Sequence, residues 1–309
     1  MKKPLFNKTK ILMAIALVGI GALLMLTGTG GDDQIPEDNK KTKVNESESL
    51  YSNNTNKGTG EVQWPKAMEV PAKTNGIQEL LLKRDAFWVS YNKDRKIPNW
   101  VAWHLTAAHT RGNNQRDDML FTEDSEVPYP RATDDDYYSS HYDRGHMCPA
   151  GDNKWDRRAL TQSFKFSNIC PQNHSLNKGD WNDLEIQCRY WAREMGDIYI
   201  VTGPIFYNGV KKTIGRNQVA VPDAFFKVVL CDNGKAKAIG FIYPNRGGHK
   251  EMKEYVRSVD EIERITGIDF FPKLEDSLEG KLESATKDNM VNQWKVYLYK
   301  PSNYDPSKD

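Results

Sequence analysis

The chain has 309 residues, 38% of them hydrophobic and 28% charged, with eight Trp, fourteen Tyr and eleven Phe. That is apolar mass enough for one large domain or two small ones, which excludes a wholly disordered chain. Its net charge of +1 excludes capture of a polyanion by a global field, so such a partner would have to be gripped by local arginines or a metal.

Met1, Lys2 and Lys3, with Lys8 and Lys10, precede an apolar run over residues 11–26. A basic stretch before an apolar one is the pattern of an export signal. The run is shorter than the roughly 20 residues a spanning helix needs, and no small-x-small cleavage site follows it. Residues 1–26 are therefore read as a signal peptide or a retained N-terminal membrane anchor. Either places the chain outside the cytoplasm: periplasmic, extracellular or anchored facing outward. Residues 27–75, rich in Asp, Glu, Asn, Lys, Ser and Thr, read as a flexible polar linker. A single folded domain is expected over residues 76–300, with a loose tail at 301–309.

Within the domain, aromatic and β-branched runs predict strands at 86–92 and 99–106. Residues 116–142 read as irregular, broken by Pro128, Pro130 and the run Asp134-Asp135-Asp136. Trp181, Leu184, Cys188 and Trp191 recur at helical spacing and predict a helix over 180–195 that Gly196 stops. Strands follow at 198–202, 218–221, 224–231 and 236–243, then a helix at 259–266 with Ser258 as its cap and Gly267 as its stop. The fold class is α+β, a mainly antiparallel sheet flanked by helices. Cys148, Cys170, Cys188 and Cys231 form no CxxC pair, which argues against a structural zinc site; a Cys148–Cys170 bridge and two buried thiols both remain open.

One cluster stands out. Asp143-Arg144-Gly145-His146 is followed by Asn168, Asn177 and Glu185. Hydrolysis of a phosphodiester requires that water lose a proton, that the phosphoryl oxygens be neutralised and that the 3′ oxygen depart with its charge balanced. His146 suits the first task, because an ordinary imidazole titrates near 6.5. A hydrated Mg²⁺ suits the last, since it prefers oxygen ligands and takes only one or two from protein. Asn177 can supply one such ligand without quenching the ion. On one helix Asn177 and Glu185 would lie about 80° apart around the axis and two turns along, which lets Glu185 hold the ion's waters. Arg144 and Arg116 are candidates to fork onto phosphate oxygens. Each residue also has a plainer reading: Asp143-Arg144 as a solvated ion pair, Asn177 as a helix cap, Glu185 as a helix-surface residue. His174 is a rival metal ligand, while His104, His109, His141 and His249 have no companions at metal spacing.

The stretches 143–152, 166–172 and 176–185, with 116–121, 129–133, 200–204, 219–227 and 263–267, resemble the DNA/RNA non-specific endonuclease family, of the Serratia nuclease and endonuclease G type. The likeness covers residues 76–272, nearly all of the expected domain. It implies a ββα-metal (His-Me) finger set in a mixed sheet, with His146 as general base, Asn177 as the sole direct Mg²⁺ ligand and Glu185 ordering the metal's waters. It also implies Asn168 as an amide that holds the constellation, and Arg144 and Arg116 as phosphate contacts. The function implied is hydrolysis of DNA and RNA to 5′-phosphate products with Mg²⁺, or Mn²⁺ as substitute. A homodimer and a membrane tether through the N-terminal segment are admitted as further partners. The alternatives are a phosphodiesterase for small nucleotides and a nuclease-like domain that binds nucleic acid without cutting it.

Overall fold

The computed structural model describes residues 67–73, 76–231 and 235–296. The expected segment 1–26, most of the linker and the tail 301–309 lie outside them. Among the described residues no helix is long and apolar enough to cross a membrane. The linker boundary at residue 75 is corrected. Met68 and Val70 are fully buried, and Lys273 Nζ donates to the Ala67 carbonyl at 2.7 Å. Packed chain is therefore present by Ala67, because two apolar side chains sit among the polar ones there.

Seven strands form one antiparallel sheet: β1 (Leu80–Lys83), β2 (Trp88–Asn92), β3 (Ile97–Leu105), β6 (Ile198–Ile205), β9 (Ala224–Cys231), β10 (Lys237–Pro244) and β11 (Val256–Arg257), in that spatial order. Two two-stranded ladders stand apart from it: β4 (Asp143–His146) with β5 (Ile169–Gln172), and β7 (Thr213–Ile214) with β8 (Val219–Ala220). Among the described residues the α-helices in chain order are α1 (Asp134–Tyr137), α2 (Arg157–Ser163), α3 (His174–Lys178), α4 (Asp180–Met195), α5 (Val259–Thr266), α6 (Asp276–Glu283) and α7 (Lys287–Gln293).

The sheet is buried on both faces, which is why β9 reads as a continuous apolar run rather than an alternation. One face, with Val101, Trp103, Ile200, Phe225 and Val229, packs beneath α4 and the β4–β5 ladder. The other, with Trp100, Val201, Phe226 and Val228, packs against Val259, Ile262, Phe270 and Leu282. The expected α+β architecture is observed. The helices 180–195 and 259–266 fall where their periodicity places them. Gly196 and Gly267 end them at φ 92° and 71°, the left-handed region that favours glycine. Ser258 caps the second by accepting from the Glu261 amide.

Three expectations change. The segment 218–221 contributes only the two-residue β8, outside the main sheet. The irregular stretch 116–142 contains α1, in which three consecutive acids occupy a first turn closed by a Thr133/Asp136 capping box. Finally, Asn177 and Glu185 do not share a helix. The chain breaks at Gly179 (φ −106°, ψ −113°) between α3 and α4. The Asp180 carboxylate is drawn off by Tyr255 Oη at 2.6 Å and by His249.

Candidate active site

The site is built on β4, β5 and the α3–α4 pair, so that two short strands and a helix carry the polar groups. In the β4–β5 ladder Asp143 pairs with Gln172 and His146 with Ile169. Gly145 is needed between Arg144 and His146, because a Cβ there would meet Gln172 Oε1 at 2.3 Å. Alternation along the strand puts Arg144 and His146 on one face. Phe121 confirms it: its ring lies 5.3 Å from that of His146 and 5.7 Å from the Arg144 guanidinium.

The His146 ring is half-buried, but its Nε2 is enclosed and has no hydrogen-bond partner. Phe164 meets the ring edge-on at 4.8 Å. Burial first, then the positive charge of Arg116, pushes the imidazole pKa down to about 3. Glu185 is shifted the other way. Burial raises its carboxyl to about 7, against the opposing pull of Lys227, Arg189 and Arg116 and with the support of Asp152. The exposed Arg116 thus contributes its positive charge to the surroundings of both the candidate base and the candidate carboxylate.

Asn177 is fixed by Asp143. Its Nδ2 donates to Asp143 Oδ2 at 2.8 Å, which settles the amide's orientation and leaves Oδ1 as its acceptor. His174 Nδ1 lies 3.1 Å from both oxygens of the same carboxylate, so the rival ligand is engaged with Asp143. Asn168, fully buried, spends its side chain on backbone. Its Oδ1 accepts from the Cys148 amide at 2.9 Å, and its Nδ2 donates to the carbonyls of Cys148 and Ser163 at 2.9 and 2.8 Å. Asn168 is therefore a brace that sets the chain just after His146. Arg144 Nε donates to Asp134 Oδ1 at 2.5 Å, and its guanidinium lies 5.7 Å from the Tyr137 ring. Cys148 and Cys170 are buried free thiols, so the bridge between them does not form.

Three charged residues of this neighbourhood escaped the sequence reading. Arg189 donates to Asp152 Oδ1 at 3.0 Å, and Trp103 Nε1 donates to Asp152 Oδ2 at 3.0 Å. Lys227, fully buried in the middle of β9, has no hydrogen-bond partner for its Nζ, which lies 4.5 Å from the Trp181 ring and 5.2 Å from the Trp103 ring. Arg189 was findable as the residue one helical turn beyond Glu185, and Lys227 as the lone cation in an apolar run. Asp152 carried no local signal.

The donor set fits a hydrated divalent cation. Asn177 offers a neutral amide oxygen, and Glu185 offers a carboxylate, the oxygen donors a hydrated divalent cation takes.

The chain is similar to several known nucleases. Residues 65–277 match the model of the DNA/RNA non-specific endonuclease family. The mitochondrial nuclease EXOG of Danio rerio is 38% identical over 203 residues, 60% of this chain and 59% of its own length. The aligned region thus spans less than two thirds of that relative. Nuclease C1 of Cunninghamella echinulata var. echinulata is 36% identical over 227 residues, covering 68% of this chain and 90% of its own. Human mitochondrial endonuclease G is 31% identical over 208 residues, 63% of this chain and 70% of its own. A crystal structure of an EndoG/EndoGI complex superposes with a TM-score of 0.61 at 27% identity, over 64% of this chain and 88% of that one.

Proposed function

The chain belongs to the DNA/RNA non-specific endonuclease family, and from that premise we propose that it is a metal-dependent, sugar-non-specific endonuclease. It hydrolyses the phosphodiester bonds of DNA and RNA and leaves 5′-phosphate ends. The observation that carries this reading is β4 itself. One four-residue strand holds a neutral imidazole, an arginine on the same face, and the aspartate that orients Asn177.

His146 acts as general base. With Nε2 enclosed, Nδ1 is the nitrogen left to take the proton of the attacking water. Burial keeps the ring neutral across the physiological range, the form a base requires. Arg144 and Arg116 grip the phosphate oxygens, and because they and the cation contact backbone alone, neither sugar nor sequence is read. Asn177 Oδ1 would be the direct ligand of a divalent cation, and Glu185 would accept hydrogen bonds from the waters around it. A divalent cation held there, which we take to be Mg²⁺ or Mn²⁺ in its place, would supply positive charge against the departing 3′ oxygen. Asn168 keeps the chain after His146 in place.

We read residues 1–26 as the segment that exports this enzyme, on the strength of the lysines that precede its apolar run. Fractionation of cells that make the full chain should then find the activity outside the cytoplasm.

The test is digestion of plasmid DNA and of RNA, with Mg²⁺ or with EDTA. Cutting of both polymers that EDTA stops is expected, and His146→Ala should lower the rate by about a thousandfold with the thermal transition retained. Full activity in His146→Ala would remove the proposed base. Faster turnover of a small aryl phosphodiester than of polymer would favour a nucleotide phosphodiesterase.

A further inference from the structure

The helix that carries Asn177 has five residues, too few to hold a shape of its own in water. Leu176 is its one buried side chain, so its placement depends on what grips its ends. At the entry, Asn173 caps α3 by accepting from the Ser175 and Leu176 amides at 3.1 and 3.3 Å. At the exit, the chain turns at Gly179 and continues as Asp180, the first residue of α4. A segment remote in sequence, the connection from β10 to β11, is fastened to both ends.

Asn245 holds the entry. Its Oδ1 accepts from the Asn173 amide at 2.8 Å, and its Nδ2 donates to the carbonyls of Pro171, in β5, and Pro222 at 3.0 and 2.9 Å. Both polar atoms of that side chain are thus spent on backbone, two of the three bonds going to the approach to α3. His249 holds the exit. Its Nδ1 meets Asp180 Oδ1, and the Lys250 amide reaches Asp180 Oδ2 at 3.4 Å, the oxygen that also accepts from Tyr255 Oη at 2.6 Å. Between the two holds the chain runs close over the first turn of α3. A Cβ at Gly247 would stand 3.7 Å from the Ser175 side chain and 3.8 Å from Asn173 Oδ1. Residues 246–250 are exposed, so hydrogen bonds rather than burial keep this segment in place.

A metal ligand works only if its oxygen is placed to within about 0.5 Å. Asp143 orients the Asn177 amide, and the placement of the backbone beneath that amide is left to α3. We propose that Asn245 and His249 are positioning residues of the metal site: by clasping α3 at its two ends they place Asn177, and through it they set the affinity for the divalent cation. The inference rests on the reading of Asn177 as the metal ligand and adds to it the segment that places that ligand.

The experiment uses the full chain as wild type, N245A, H249A, H249N and N177A. Mn²⁺ binding without nucleic acid is followed by the electron paramagnetic resonance of the free ion, and amide hydrogen exchange in EDTA by mass spectrometry. In N245A and H249A exchange over residues 174–178 should quicken about tenfold, the worth of roughly one lost hydrogen bond. Exchange over residues 187–195, the far half of α4, should stay as in the wild type. The dissociation constant for Mn²⁺ should rise several-fold in both, while kcat at saturating Mn²⁺ changes little. H249N, whose side-chain amide can donate to Asp180 in place of the ring nitrogen, should restore both values. The His249 side chain is 75% exposed, so H249A leaves the core untouched and decides the matter even where N245A lowers the thermal transition. An unchanged Mn²⁺ affinity in H249A would overturn the clasp, as would unchanged exchange over residues 174–178. Mn²⁺ binding that N177A leaves intact would remove Asn177 as ligand and with it that reading of the site, while the exchange rates still decide whether residues 245–250 hold α3.

Discussion

A histidine kept neutral by burial makes the protein sensitive to acid. The unfolded chain takes up a proton at the ordinary imidazole value of 6.5, whereas folded His146 resists it down to about 3. Between those values the unfolded state binds more protons, so this contribution to stability is complete above about pH 6.5 and is lost as the pH falls toward 3. Urea midpoints of the wild type should fall more steeply between pH 6.5 and 4 than those of His146→Gln, which has no ring to protonate. Asp143 offers a second test at this scale. In Asp143→Ala the Asn177 amide loses the hydrogen bond that orients it, so the Mg²⁺ concentration for half-maximal rate should rise several-fold, while the rate at saturating metal changes less. The sequence reading reached His146, Arg144, Asn177 and Glu185 because local spacing carries them. It missed Asp152, in the short helical turn Ala150–Asp152 that closes the same stretch, because its partners Arg189 and Trp103 lie far off in sequence, and Lys227, which only the tertiary fold brings in from the central sheet.

Among elements, the two-stranded ladder is where local sequence most tightly constrains shape. Gly145 tolerates no side chain, because a Cβ would enter the space of the buried Gln172 amide. Gly145→Ala should cost about 1–3 kcal/mol as an overpacked site and depress activity beyond that loss, since Arg144 and His146 stand on either side. Thermal melts and plasmid digestion read the two effects separately. The long elements were legible because a periodic pattern over two or more turns, or over six to eight strand residues, declares itself. The short ones were not. Four-residue β4 and β5 and five-residue α3 are too brief for any period to show. The break at Gly179 depends on Tyr255 and His249 capturing Asp180 from about seventy residues away.

Across the whole molecule, the sheet separates a catalytic face from an acidic one. On the far side Asp260, Glu263 and Glu283 hold carboxylate oxygens within 4.8 Å of one another. Burial first, with repulsion from Asp269 and Asp260, raises Glu263 to about 7, and burial first, then repulsion from Glu263 and Glu279, raises Glu283 to about 8. A raised carboxyl costs stability as the pH climbs from its ordinary 4.5 through the folded value. Glu283→Gln should therefore melt higher than the wild type at pH 8.5, with the gain gone at pH 4, below the ordinary value. A net charge near zero hides such an arrangement, because composition reports the sum of charges and not their neighbours. The sulfur chemistry is equally hidden in a residue count. Cys148 and Cys170, each two positions beyond a residue of the site, are enclosed as thiols. Maturation of the nuclease thus has no oxidative step at its centre. Catalysis should proceed at the same speed with or without dithiothreitol, and a chain that folds before leaving a reducing compartment should be as competent as one that folds after.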